Sequence, residues 1–173
     1  MVRVIADRVG ALDRAWMAGL SRCTAPGWLD AALRTLTHAG GARATVALAL
    51  VLVLLPGTRE LGALAVLANA LSHLAVQVLK RTVVRPRPHL LGGFDPLAHV
   101  PDAFSFPSGH TAAASAVVLT LLLAGHPLGM VLLPLVPVVG ASRVYLRVHY
   151  VTDVVAGFLL GAAGALAAHA LLR

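Results

Sequence analysis

The chain has 173 residues, 58% of them hydrophobic and only 12% charged, with a net charge of +7 and a mean hydropathy of +0.84. Soluble domains average about 45–50% apolar and about 25% charged, so this composition excludes a disordered chain and argues against a soluble one. A single cysteine, Cys23, excludes an internal disulfide framework and a cysteine-based zinc site.

Length allows one membrane domain over 1–173, with about five crossings after about forty N-terminal residues. Residues 1–38 lack a secretory leader pattern, because Arg3, Asp7, Arg8, Asp13 and Arg14 interrupt any apolar run. Val2, Ile5, Val9, Leu12, Trp16 and Leu20 recur at spacings of three and four. They predict an amphipathic helix, lying either in the membrane interface with Trp16 at headgroup level or over a protein core. A second such helix begins near Pro26 and sets Trp28, Leu29, Ala32, Leu33 and Leu36 against Asp30 and Arg34. Neither reading gives the segment 1–40 a chemical role.

Spans follow at Ala44–Leu55, Leu61–Leu79, Ser108–Ala124, Leu128–Ala141 and Val151–Leu172. The third and fourth are short for a full crossing. Pro56–Glu60 and Gly125-His126-Pro127 are turns, while 80–107 and 142–150 are polar connections. The pattern predicts an all-α, polytopic helical bundle. With five spans, the N-terminal segment and both polar connections share one side, which holds every lysine and arginine except Arg59 and Arg173. The positive-inside rule makes that side cytoplasmic.

Three polar clusters lie at span ends on this side. Lys80-Arg81-Thr82-Val83-Val84-Arg85-Pro86-Arg87-Pro88 reads as a basic anchor for anionic headgroups or as a phosphate-holding set. Its prolines fix φ and aim the guanidinium groups, whose forks match phosphate oxygens. Ser105-Phe106-Pro107-Ser108-Gly109-His110 opens an apolar helix, whose free N–H groups and positive dipole end suit an anion. The third cluster is Ser142-Arg143, His149 and Asp153. His149 and Asp153 are four apart, which places them on one helical face, and a carboxylate beside an imidazole fixes its tautomer. The other reading is a structural ion pair, although ionisable groups within a span are usually functional. Together the clusters supply what phosphoryl transfer needs: cations for the equatorial oxygens, a nucleophile and an acid. No cluster offers the several carboxylates expected around magnesium, so no metal or other cofactor is expected and the cations take the metal's part.

The spacing of Lys80 to Arg87-Pro88, Pro107-Ser108-Gly109-His110, and Ser142-Arg143 with His149 and Asp153 resembles the tripartite signature of the type 2 phosphatidic acid phosphatase superfamily, the lipid phosphate phosphatases. The signature region covers 80–153. The resemblance implies a metal-independent membrane phosphatase with His149 as the nucleophile that becomes phosphohistidine and Asp153 orienting it. It makes His110 the acid for the leaving oxygen and then the base for water. Lys80, Arg87 and Arg143 hold the phosphoryl oxygens, with Ser108 and the Gly109 amide. Arg85 falls in the wrong register and is secondary. Six spans are common in the membrane branch, against five here plus an amphipathic N-terminal segment. Many members face outward, whereas the cation count points inward.

The implied partner is a lipid phosphate in a bacterial cell membrane: phosphatidic acid, phosphatidylglycerol phosphate, a polyprenyl diphosphate or a polyprenyl-linked sugar phosphate. The competing class is a transporter or channel for an anionic solute, which has no need of His149 and Asp153 at this spacing beside His110. Nucleic acid is excluded, because the basic residues are juxtamembrane and lack interleaved aromatics. Asn69, His73, Gln77 and Lys80 share one face of the second span, as interhelical hydrogen-bonding groups or as a path from the site into the bilayer. Gly157 and Gly161 form a G-x-x-x-G that reads as close helix packing.

Overall fold

The computed structural model describes residues 2–21, 26–92, 95–98, 100 and 102–172, with backbone only at 2–9, 21, 91 and 92. Arg22, Cys23, Gly93, His99, Pro101 and Arg173 lie outside the described residues, as do the side chains of Val2, Ile5 and Val9. The helices are α1 (Val2–Ser21), α2 (Gly27–Thr37), α3 (Ala42–Leu54), α4 (Arg59–Thr82), α5 (Pro88–Gly92), α6 (Gly109–Leu123), α7 (Pro127–Leu132), α8 (Leu135–Tyr145) and α9 (Val151–Leu172). A single 3-10 turn, His38–Gly40, joins α2 to α3.

Helix α6 is apolar around its whole circumference, the pattern of a helix enclosed by others. Every residue from Thr111 to Val118 is buried, and its most extensive packing is against α9 and then α4. Small side chains make this approach possible. A Cβ at Gly157 would run into the Ser108 carbonyl, and one at Gly161 into the Ala112 carbonyl and Ser115. One at Gly164 would meet the Ala68 carbonyl of α4, so the glycine stripe of α9 serves packing inside the chain. Outward faces carry Leu50, Leu54, Leu74, Val131, Leu159 and Leu166, all exposed. Such a surface is costly against water and costs nothing against hydrocarbon.

Three helical stretches are long and apolar enough to cross a membrane: Arg59–Thr82, Pro127–Tyr145 and Val151–Leu172. A fourth candidate joins Gly27–Gly40 to Ala42–Leu54 across a 49° bend. Helix α6 has 15 residues, about 22 Å at 1.5 Å per residue, and is shorter than the hydrocarbon core because protein surrounds it. The expected fourth span extends further than its sequence pattern suggested. It begins at Pro127, breaks between Leu132 and Leu135, and continues to Tyr145, which puts Ser142 and Arg143 on the last turn of α8 and not in a loop. In the long connection, Pro86 bridges to Phe104 and Ser105 N–H donates to the Arg85 carbonyl at 2.9 Å. That pairing folds the basic segment back over the start of α6.

Candidate active site

The site forms where α4 ends, α6 begins, and α8 turns into α9. His149 is not on α9, as its spacing from Asp153 suggested, but in the turn before it. Helix α8 ends with Arg147 in the left-handed region (φ 61°), which reverses the chain. The Arg143 carbonyl then accepts from the N–H groups of both Val148 and His149, each at 3.2 Å. Asp153, in the first turn of α9, accepts from the Tyr150 N–H at 2.8 Å, as an acidic third residue does in a capping box. The same oxygen lies 3.6 Å from His149 Nδ1, beyond hydrogen-bond length but within ion-pairing reach. Asp153 is therefore held by the helix start, and it faces the ring from there.

His149 is 2% exposed. Burial lowers its imidazole to about 4, with Asp153 opposing and Arg143 and Arg87 adding to the shift, so the ring is neutral at pH 7. Its Nε2 lies 3.4 Å from Arg87 Nη1. Arg87 is almost completely buried and fully engaged. It donates to the Val148 carbonyl at 2.7 Å, to the Asp102 carbonyl at 2.7 Å and to the Asp102 carboxylate at 2.9 Å. Lys80 donates to the same carboxylate at 2.7 Å. Burial works against ionisation of Asp102, but hydrogen bonds from Lys80 and Arg87 outweigh it and hold its carboxyl below the usual range.

Ser108 caps α6 and exchanges a hydrogen bond with Thr111 Oγ1 at 3.0 Å. Its backbone N–H donates to the Asp153 carbonyl at 2.9 Å, which fastens the start of α6 to the start of α9. Gly109 and His110 follow in the first turn of α6 and line a cavity of about 410 Å³. Lys80, Gln77, His73 and Asn69 line it on one side, and Val46, Leu50 and Val66 add an apolar wall. Of the two readings given for the polar face of α4, the interhelical hydrogen bond is seen at Asn69. Asn69 Nδ2 donates to Thr45 Oγ1 of α3 at 3.2 Å, and all four residues border the cavity. Arg143, 3% exposed, donates to Thr37 Oγ1 at 3.1 Å, and its Nε has no hydrogen-bond partner.

All eight residues singled out from the sequence — Lys80, Arg87, Ser108, Gly109, His110, Arg143, His149 and Asp153 — lie at this one end of the bundle. Such a set is suited to placing an anionic, tetrahedral group between a neutral imidazole and several cations. The family question is decided by the PAP2 superfamily model, which matches residues 61–173. The chain belongs to the PAP2 superfamily. Among its curated relatives, phosphatidylglycerophosphatase B of Bacillus subtilis is 35% identical over 150 residues, 78% of this chain and 70% of that one. Decaprenylphosphoryl-5-phosphoribose phosphatase of Mycolicibacterium smegmatis is 42% identical over 137 residues, 76% of this chain and 72% of that one. The crystal structure of a transmembrane PAP2 type phosphatidylglycerolphosphate phosphatase from Bacillus subtilis superposes with a TM-score of 0.80 at 30% identity. It covers 95% of this chain and 86% of that one.

Contacts at this PAP2 site also come from places to which the sequence assigned no chemistry. Asp102 had no motif around it. Arg85, set aside for its register, donates to Asp153 Oδ1 at 2.8 Å. The N-terminal segment supplies Thr37 to Arg143 and Asp13 to Arg85 (2.7 Å), so it is part of the surroundings of the site.

Proposed function

We propose that this PAP2 protein hydrolyses a phosphate ester carried on a membrane lipid by two displacements at His149. With Nδ1 turned to Asp153, Nε2 is the attacking atom. Its lone pair forms the N–P bond as the bond from phosphorus to the lipid oxygen breaks, and His110, which must enter the step protonated, gives that oxygen its proton. His110 then takes a proton from water, whose oxygen displaces the imidazole and releases inorganic phosphate. Lys80, Arg87 and Arg143 balance the charge of the equatorial oxygens, with the Gly109 amide and Ser108 at the positive end of α6. No step in this scheme calls on a metal. The observation that carries the reading is the buried His149, with Arg87 Nη1 3.4 Å from its Nε2 and Asp153 Oδ2 3.6 Å from its Nδ1.

The cavity supports a lipid as the carrier. It runs from Lys80 and His110 along α3 and α4, between the polar row of α4 and an apolar wall of Val46, Leu50 and Val66, a shape that takes an acyl or prenyl chain while the phosphate lies toward Lys80. Among the candidate lipids we favour a phosphorylated sugar on a polyprenyl phosphate. Its support is the relative from Mycolicibacterium smegmatis at 42% identity and the cation count, which favours a site on the cytoplasmic side. Phosphate release in detergent from a panel of polyprenyl-linked sugar phosphate, phosphatidylglycerol phosphate, phosphatidic acid and polyprenyl diphosphate tests both levels. The expected result is the highest kcat/KM on the first. A higher value on another lipid overturns the substrate, and no release from any of them overturns the reaction.

A further inference from the structure

Helix α1 buries only two of its described side chains, Met17 and Asp13. A carboxylate 3% exposed on a peripheral helix is costly unless it is paired. Asp13 is paired on both oxygens. Oδ2 accepts from Arg85 Nη2 at 2.7 Å and from Thr152 Oγ1, while Oδ1 accepts from the Thr152 N–H at 3.3 Å. Arg85 in turn lies 4.0 Å above the Tyr150 ring and donates through Nη1 to Thr152 Oγ1 at 2.7 Å and to Asp153 Oδ1 at 2.8 Å. One guanidinium thus bridges a carboxylate of the N-terminal helix and the carboxylate that faces His149. Neither Asp13 nor Arg85 touches Lys80, Arg87, Arg143 or His110 through any of these bonds.

We infer that Asp13 and Arg85 are positioning residues for the reaction, acting through Asp153 on His149. This rests on the reading of His149 as nucleophile. Arg85 fixes one oxygen of Asp153, and the Tyr150 N–H fixes the other beside Nδ1, so the carboxylate cannot rotate away from the ring. Asp13 contributes in two ways. It holds the far arm of the guanidinium, and it shares the cation's charge, which leaves Asp153 anionic toward an imidazole that becomes positively charged on phosphorylation. Without Asp13, Arg85 has a single anionic partner and neutralises it. These pairs span 72 residues from Asp13 to Arg85 and 68 from Arg85 to Asp153, so it is the fold that brings the N-terminal helix to Asp153.

The test is steady-state kinetics of purified, monodisperse Asp13→Asn, Arg85→Gln and Arg85→Lys proteins on the preferred lipid, with His149→Ala and Asp153→Asn alongside. Asparagine keeps the volume and one acceptor oxygen of Asp13, and the folded fraction of each variant is measured alongside its kinetics. Asp13→Asn is expected to lower kcat about tenfold with KM within about twofold, as a misplaced catalytic group does. Arg85→Gln lowers kcat further, Arg85→Lys recovers part of it, and adding Asp13→Asn to Asp153→Asn costs nothing more. Unchanged kcat in Asp13→Asn and Arg85→Gln overturns the inference, as does a loss confined to KM. So does a loss matched by an equal fall in the folded fraction. An active His149→Ala protein would instead overturn the reaction scheme itself.

Discussion

Lys80 and Arg87 both give a hydrogen bond to the carboxylate of Asp102, at 2.7 and 2.9 Å, and in the proposed scheme a substrate phosphoryl group needs the same donors. In that scheme Asp102 competes with substrate for the two cations. Replacing it by asparagine keeps an acceptor for Arg87 and for the Phe104 N–H, which now donates to Oδ1 at 3.0 Å, and removes the charge. A partly exposed ion pair is worth about 1 kcal/mol, or about fivefold. Asp102→Asn is accordingly expected to lower KM about fivefold and to strengthen product inhibition by inorganic phosphate to a similar degree. Inhibition and initial-rate assays read both, and a raised KM would show that Asp102 serves to position the cations. This residue was invisible in the sequence for a physical reason. Its partners lie 22 and 15 positions away, brought together by the folding of a proline-rich connection that has no periodicity. Asp13 is hidden in the same way. His149 and Asp153 were legible because their separation is fixed by the local backbone, but the local backbone was misjudged. The chain reverses at Arg147, so the two meet across a helix start and do not stand one above the other on a helix.

The elements themselves were read more securely than their ends. Helix α9 runs from Val151 to Leu172, the bounds expected for the last span, and α6 starts at Gly109 under a Ser108 cap. Runs of apolar residues bounded by Gly, Pro and polar residues carry that information directly. The fourth span was cut short in the sequence reading because Ser142 and Arg143 look like loop residues. Both are buried, and polar side chains survive within a helix where they meet other polar groups: Ser142 Oγ donates to the Val139 carbonyl at 2.6 Å, and Arg143 reaches Thr37. Which helices cross a bilayer is a matter of burial as much as hydropathy. Helix α6 is among the most apolar and is also too short, because α9 and α4 enclose it. The contact between α6 and α9 places the chemistry. With the Ser108 carbonyl against Gly157 and the Ser108 N–H on the Asp153 carbonyl, the turn of α6 proposed to face the phosphate is fastened beside Asp153.

At the level of the molecule, most of the chain's few charged side chains lie toward one end of an otherwise apolar bundle, and among the described residues those at the site are ion-paired. Lys80, Arg85 and Arg87 are engaged by Asp102, Asp13 and Asp153, while Arg34, Arg43 and Arg81 have no ion-pair partner among the described residues. The latter kind of cation sets topology, and its side is proposed to be cytoplasmic. With Cys23→Ser as background, Asp95→Cys in the exposed connection is expected to resist a membrane-impermeant maleimide in intact cells and to react after permeabilisation. Labelling of intact cells would place the site outside. The central claim is covalent, and a covalent intermediate can be trapped. With lipid substrate labelled in its terminal phosphate, rapid quenching of the wild-type protein in alkaline detergent should leave label on the chain that is stable to base and released by acid, as an N–P bond requires. Excess chelator should leave that label in place, and His149→Ala should neither hold label nor release phosphate. A His149→Ala protein that still releases phosphate, or a wild type that loses its label with chelator, would contradict the account.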